Sequence, residues 1–285
     1  MTAEPAAHLL LGPLSLDLYR DGTVLPGGGA LNMAWHWRTL GVPFRLLTRI
    51  GEDHRDVALG FLKWHGIPYL PESIVGDGPS ATIDIEILPD GQPHMDRFVE
   101  GVWADYRSTP REEALIAGSG GLHVVLVEGA IAELARLHAV GLLARRDVSA
   151  DFLGFRHYTV ERFADTMAAV DLGFVGWPGD VADPTVRRLG EVTRELRRRL
   201  VITFGSKGVV IVDGRSGEAD RFMPVTPVRV VAGTTVGCGD AFIAWFLAEY
   251  RRSGDLLAAV ERGKLGGALA TAWRGPLPDD AYATT

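Results

Sequence analysis

The sequence predicts an α/β fold, in which a mostly parallel sheet is covered by helices on both faces and carries a small β appendage. Three observations predict it. Short apolar, β-rich runs alternate with segments of helical period, which is the pattern of βαβ units. The alternation is broken where two strand-like runs meet without a helix between them. The chain is also long enough, at 285 residues with 47% hydrophobic content, to bury one large core.

Leu9–Leu11 opens the series of strands. His123–Glu128, Leu142–Asp147, Leu172–Trp177 and Leu200–Phe204 have the continuous apolar character of strands buried on both faces. Helical patterns lie between them at Ala130–Val140, Thr159–Val170 and Pro184–Arg199. Gly141 and Gly173 suit helix exits, and Asp183–Pro184 suits a helix start. The interruption is a hairpin: Ala81–Leu88, a turn at Pro89–Asp90–Gly91, and a returning strand at His94–Glu100. Ser15–Leu25 has similar character. With no repeat and no low-complexity linker, residues 1–285 read as a single domain.

A net charge of −7 argues against a nucleic-acid footprint. The arginine-rich stretch Arg187–Arg199 has Glu191 and Glu195 interleaved at helical spacing, the mark of a solvated helix face. One cysteine, Cys238, fits a reducing compartment, and Met1–His8 lacks the pattern of a signal peptide. No apolar run approaches the ~18–20 residues of a membrane span. A cytoplasmic protein without membrane or nucleic-acid partners is expected. The eight histidines show no metal-binding spacing, so no dedicated metal site is expected.

The most informative segment runs from Val230 to Phe242, where an apolar run reaches the turn Gly233–Thr234–Thr235–Val236–Gly237–Cys238–Gly239 and Asp240 opens a helix over Ala241–Tyr250. Backbone N–H groups at such a helix start hold anions. An aspartate beside them suits a base that deprotonates a hydroxyl attacking a phosphoryl group; the plainer reading is a carboxylate complementing the helix dipole. Near the other end stand Pro26–Gly27–Gly28–Gly29–Ala30–Leu31–Asn32 and then Ile50–Gly51–Glu52–Asp53.

In this order and over nearly the whole chain, these segments resemble the PfkB (ribokinase-like) carbohydrate kinase family. The resemblance implies a ribokinase-like three-layer fold with lid strands at about 14–26 and 80–101, ATP and Mg2+ as co-reactants, and a small sugar as substrate. It implies Asp240 as catalytic base, with the amides of Gly237, Cys238 and Gly239 as the anion hole. Asp17, Gly27, Gly28, Asn32 and Glu128, which ends a strand, would bind substrate; Asn32 can both donate and accept. Thr203, Gly205 and Gly208, in a T-x-G-x-x-G turn, and Thr235 would line the nucleotide. Cys238 reads as a space-filling residue, although a thiol at a helix start can be reactive, so that its alkylation would block the anion hole.

Two positions depart from the family pattern. Thr234 stands where an aspartate usually helps organise the loop and, in some members, a monovalent cation, so potassium activation is left open. The usual N-x-x-E motif is absent from Phe174–Asp180, where Asp180 can take over the contact to magnesium's water. The Gly27–Gly28 start and Glu100–Tyr106 after the hairpin make the chain most similar to the fructosamine (fructoselysine) 6-kinase branch. A cationic amine on that substrate could be favoured by Asp84, Glu86, Asp96 or Glu100, each of which also reads as a solvated hairpin charge. Open beside this are a nucleoside kinase, a degenerate member that binds without efficient turnover, and a homodimer formed through the lid.

Overall fold

The computed structural model describes residues 8–89, 93–155, 158–224 and 234–283. The chain forms two compact units, one of Met1–Leu9 and Arg107–Pro227, the other of Leu10–Tyr106 and Val228–Thr285. In chain order come β1 (His8–Leu11), β2 (Ser15–Tyr19), β3 (Val24–Gly27), α1 (Gly29–Thr39), β4 (Phe44–Leu47), α2 (Arg55–Trp64), β5 (Ala81–Ile87) and β6 (Pro93–Val99). Next are α3 (Pro110–Gly118), β7 (Gly121–Val125), α4 (Glu128–Ala139), β8 (Asp147–Asp151), α5 (Val160–Met167) and β9 (Leu172–Gly176). Then follow α6 (Pro184–Glu195), β10 (Arg199–Thr203), β11 (Val209–Asp213), β12 (Arg221–Met223), α7 (Cys238–Ser253) and α8 (Leu256–Ala270).

In the unit of Arg107–Pro227 the strand order is β12-β11-β10-β9-β8-β7. β7 to β10 run parallel, and β11 and β12 add antiparallel. Every residue of β7 is buried, as the apolar runs required. Sequence-local chemistry starts the helices. Thr109 and Glu112 form a capping box around Pro110, and the Asp183 side chain accepts the Thr185 N–H ahead of Pro184.

Two expectations are corrected here. Leu142–Asp147 is not a strand: the chain turns after α4, with the Leu142 N–H on Leu137 O at 3.0 Å, and β8 begins only at Asp147. The true strand was masked by polar residues that find partners inside, Ser149 meeting His123 Nδ1 at 2.9 Å. Gly173 is no helix exit but an interior residue of β9, where a Cβ would lie 3.0 Å from Met167 Sδ.

Glu133 of α4 is fully buried and shares its carboxylate among the Ser108 N–H (3.0 Å), the Ser108 hydroxyl and Arg136 Nε (2.9 Å). Removing it strands these donors. Glu133→Ala is expected to destabilise the protein by about 2–3 kcal/mol, seen as a lower urea midpoint at unchanged slope.

In the other unit, β3-β2-β5-β6 form a four-stranded sheet whose β5–β6 pair is the expected hairpin; its turn residues Asp90 and Gly91 lie outside the described residues. So does the apolar run Val230–Gly233. Asp84 pairs with Arg97, and Glu86 with Arg20 at 2.6 Å, so both acids are already matched by arginines. α1 packs on α7, where the Trp37 indole N–H reaches Ala244 O at 3.0 Å. Among the described residues no helix is long and apolar enough to cross a membrane.

Candidate active site

α7 starts at Cys238, two residues before the aspartate expected to open it. Gly237 is the N-cap, in the left-handed region at φ 74, and a Cβ there would lie 2.6 Å from Pro276 Cα. No side chain caps the helix. The Cys238 N–H turns back to Thr235 O at 3.3 Å, whereas no described residue accepts the N–H of Gly239 or Asp240. A Cβ on Gly239 would meet no atom within 4 Å, so the backbone there is open to an incoming group. Unpartnered N–H groups at the positive end of a helix, with open space beside them, have the geometry to accept an anion.

Asp240 occupies the third position of α7, and its Oδ2 accepts a hydrogen bond from Asn32 Nδ2 at 2.7 Å, across 208 residues of sequence. Burial pushes its pKa up to about 6, opposed by that bond. Asn32 is 4% exposed, and its Oδ1 has no partner among the described residues. It can accept one hydroxyl while steadying Asp240.

Asp17, on β2, is 3% exposed, and its pKa is pushed up to about 7, first by burial and then by the charge of Asp240; the Ser15 hydroxyl, at 3.3 Å, opposes this. Gly27 lies against it: a Cβ there would fall 2.4 Å from Asp17 Oδ2. Gly28, at φ 93, precedes α1 and so sets where Asn32 emerges. Asp17, Gly27, Gly28, Asn32, Gly237, Cys238, Gly239, Asp240 and Thr235 thus all belong to one unit.

The remaining candidates belong to the other unit. Thr203 ends β10, and Gly205 to Gly208 form a tight turn into β11, closed by the Phe204 N–H on Gly208 O at 2.9 Å. Asp180 is exposed and accepts the Ala182 N–H at 3.0 Å. Glu128 is corrected in place: it opens α4 instead of ending a strand, and its carboxylate grips Arg162, Nη1 to Oε1 being 2.8 Å. The strand stops earlier, at Val125. Cys238 is half-buried, its thiol pushed up to about 12 by desolvation and then by Asp240, so the lowered pKa that a helix start can give is absent.

A family model described as pfkB family carbohydrate kinase matches residues 173–279, which include Asp240 and the glycines before it. Fructoselysine 6-kinase of Escherichia coli (strain K12) is 24% identical over 256 residues, covering 89% of this chain and 92% of the relative. Cytidine kinase of Thermococcus kodakarensis is 26% identical over 268 residues, covering 90% and 92%. The structure of Arabidopsis thaliana ribokinase complexed with ribose and ATP superposes with a TM-score of 0.75 at 16% identity, covering 99% of this chain and 100% of that one. The fold is ribokinase-like, and the relatives matched by sequence are named as kinases.

The candidate site also holds residues that the sequence did not single out. Tyr19 carries a buried hydroxyl with no partner among the described residues, and a Cβ on Gly275 would sit 3.4 Å from it. Pro276 backs Gly237, while Trp273 O accepts the Thr234 N–H at 3.0 Å. Their only signal was the loop Arg274–Gly275–Pro276–Leu277, which has no motif of its own.

Proposed function

We propose that this protein is an ATP-dependent sugar kinase that phosphorylates a primary hydroxyl, the 6-hydroxyl of a fructosamine or a related ketose. The observation that carries the reading is the Asn32–Asp240 pair beside the unpartnered amides of α7. Asp240, with a pKa raised to about 6, is ionised at neutral pH yet basic enough to take the hydroxyl proton as the oxygen attacks the γ-phosphorus. The bond to ADP breaks, and the amides at Gly237–Gly239 receive charge on the transferred oxygens. Asn32 Oδ1 and Asp17 orient the sugar. Thr203, Gly205, Gly208 and Thr235 would line the nucleotide.

The described residues contain no group of three or more His, Cys, Asp or Glu that could hold a metal ion. Magnesium would arrive with the nucleotide's phosphates, with Asp180 as a water contact. The matched pairs of Asp84 and Glu86 leave the buried Asp17 as the acid better placed for a polar sugar group. The match to a cytidine kinase supports a second reading, a nucleoside substrate. ATP-dependent ADP release across fructoselysine, fructose, ribose and nucleosides, with Asp240→Asn alongside, decides between them. Turnover on one sugar that the variant loses supports the proposal, turnover on nucleosides alone selects the second reading, and none anywhere selects a binding protein.

Gly27→Ala gives a sharper test of the sugar side. Its Cβ would collide with the Asp17 carboxylate, and the KM for sugar is expected to rise about tenfold or more while the KM for ATP holds.

A further inference from the structure

The fold family suggests a monovalent cation behind the anion-hole turn, and the donor set here does not fit one. The position that would need a carboxylate is Thr234, 6% exposed. Its groups are committed within the protein: the N–H donates to Trp273 O at 3.0 Å, the hydroxyl to Arg274 O at 3.4 Å, and that same hydroxyl oxygen accepts the Val236 N–H at 3.2 Å. The Cys238 thiol reaches Thr234 O at 4.0 Å. Trp273 O, Arg274 O and Thr234 O thus each already accept a protein donor, and the group at this position is a neutral hydroxyl where a cation would call for a carboxylate.

We infer that Thr234 is a positioning residue that ties the Gly237 turn to the Trp273–Arg274 backbone in place of a bound cation. The clamp holds both sides of the turn, because Pro276, two residues after Arg274, is also the wall against Gly237. A neutral hydroxyl that donates once and accepts once fixes the turn without an ion whose occupancy would vary with the medium. The amides beside Asp240 are thereby set by the chain alone. The effect on catalysis rests on the kinase reading; the clamp itself does not.

The test joins activity with two readouts that need no turnover. For the wild type, Tm is expected to agree within about one degree and the Kd for ADP within about twofold in potassium chloride and in tetramethylammonium chloride at equal ionic strength. Thr234→Val is expected to speed amide hydrogen exchange in residues 234–242 and to lower kcat about tenfold at an unchanged KM for sugar, with Thr234→Ser restoring both. Thr234→Asp is expected to acquire a potassium-dependent rise in Tm. Potassium tightening ADP tenfold or raising the wild-type Tm by several degrees overturns the inference, as does unchanged exchange in Thr234→Val. If the wild type turns over no substrate, the kinase reading fails, while exchange and melting still decide the clamp.

Discussion

Asp240→Asn is expected to lower kcat by about 10²- to 10⁴-fold, the usual contribution of a positioned base. The amide keeps the carboxylate's shape and can still meet Asn32, but it cannot take a proton. Because burial holds the Asp240 pKa at about 6, wild-type kcat/KM should rise with pH through that region, and the variant's residual activity should not. The same group carries a stability signature of known sign. Its folded pKa lies above the ordinary value of 3.8, so the folded state binds the proton more tightly than the unfolded chain. The benefit of that proton is present at low pH and is lost as pH rises through about 6. At pH 8 the buried charge therefore costs stability, and Asp240→Asn should melt higher there, by about 2–4 °C per kcal/mol recovered, with the gain shrinking toward pH 5. A variant that melts lower at pH 8 would falsify this account of the buried carboxylate.

Gly237→Ala is expected to cost nearly as much activity by a different route. The new Cβ would lie 2.6 Å from Pro276 Cα, backbone that cannot swing aside, and the left-handed φ of 74 adds strain of its own. The turn must shift and carry the amides with it; loss of one aligned oxyanion donor alone costs about 10²–10³-fold in kcat. Stability should fall as well, by about 1–3 kcal/mol. Gly239→Ala separates the two effects. It meets no atom within 4 Å, so its Tm should match or exceed that of the wild type, while the methyl stands where phosphate would approach and lowers activity. Calorimetric melting and ADP release on both variants check the pair.

The parts of the site that local sequence can encode were legible. Gly237 to Asp240 and Gly27 to Asn32 announce themselves because a turn and a helix start need particular residues within a few positions. The sheet of β7 to β10 was legible by its apolar runs, except at β8. There the Ser149–His123 pair puts polar groups into a buried strand, and the turn before it carried more leucine than the strand did. Glu128 was displaced for a similar reason: apolar character continues through Leu126 and Val127, past the last strand residue. What could not be read was partnership at a distance. The Asp17–Gly27 contact, the Pro276 wall and the Thr234 clamp each join residues whose relation exists only after folding. The fates of Asp84 and Glu86 likewise depended on which arginines came to face them.

Asn32 and Asp240, bonded at 2.7 Å, belong to a unit whose two pieces are Leu10–Tyr106 and Val228–Thr285. During synthesis the first piece emerges long before its complement. At roughly 5–20 residues per second, the sequence separation of 208 from Asn32 to Asp240 takes a ribosome about 10–40 s to cover. For that interval Trp37 and the rest of the α1 face have no α7 to cover them, while the continuous stretch Arg107–Pro227 can close its own core first. The nascent chain should therefore pass through a stage with one finished unit and one exposed, helper-dependent half. The Asn32–Asp240 bond can form only after the C-terminal segment clears the exit tunnel.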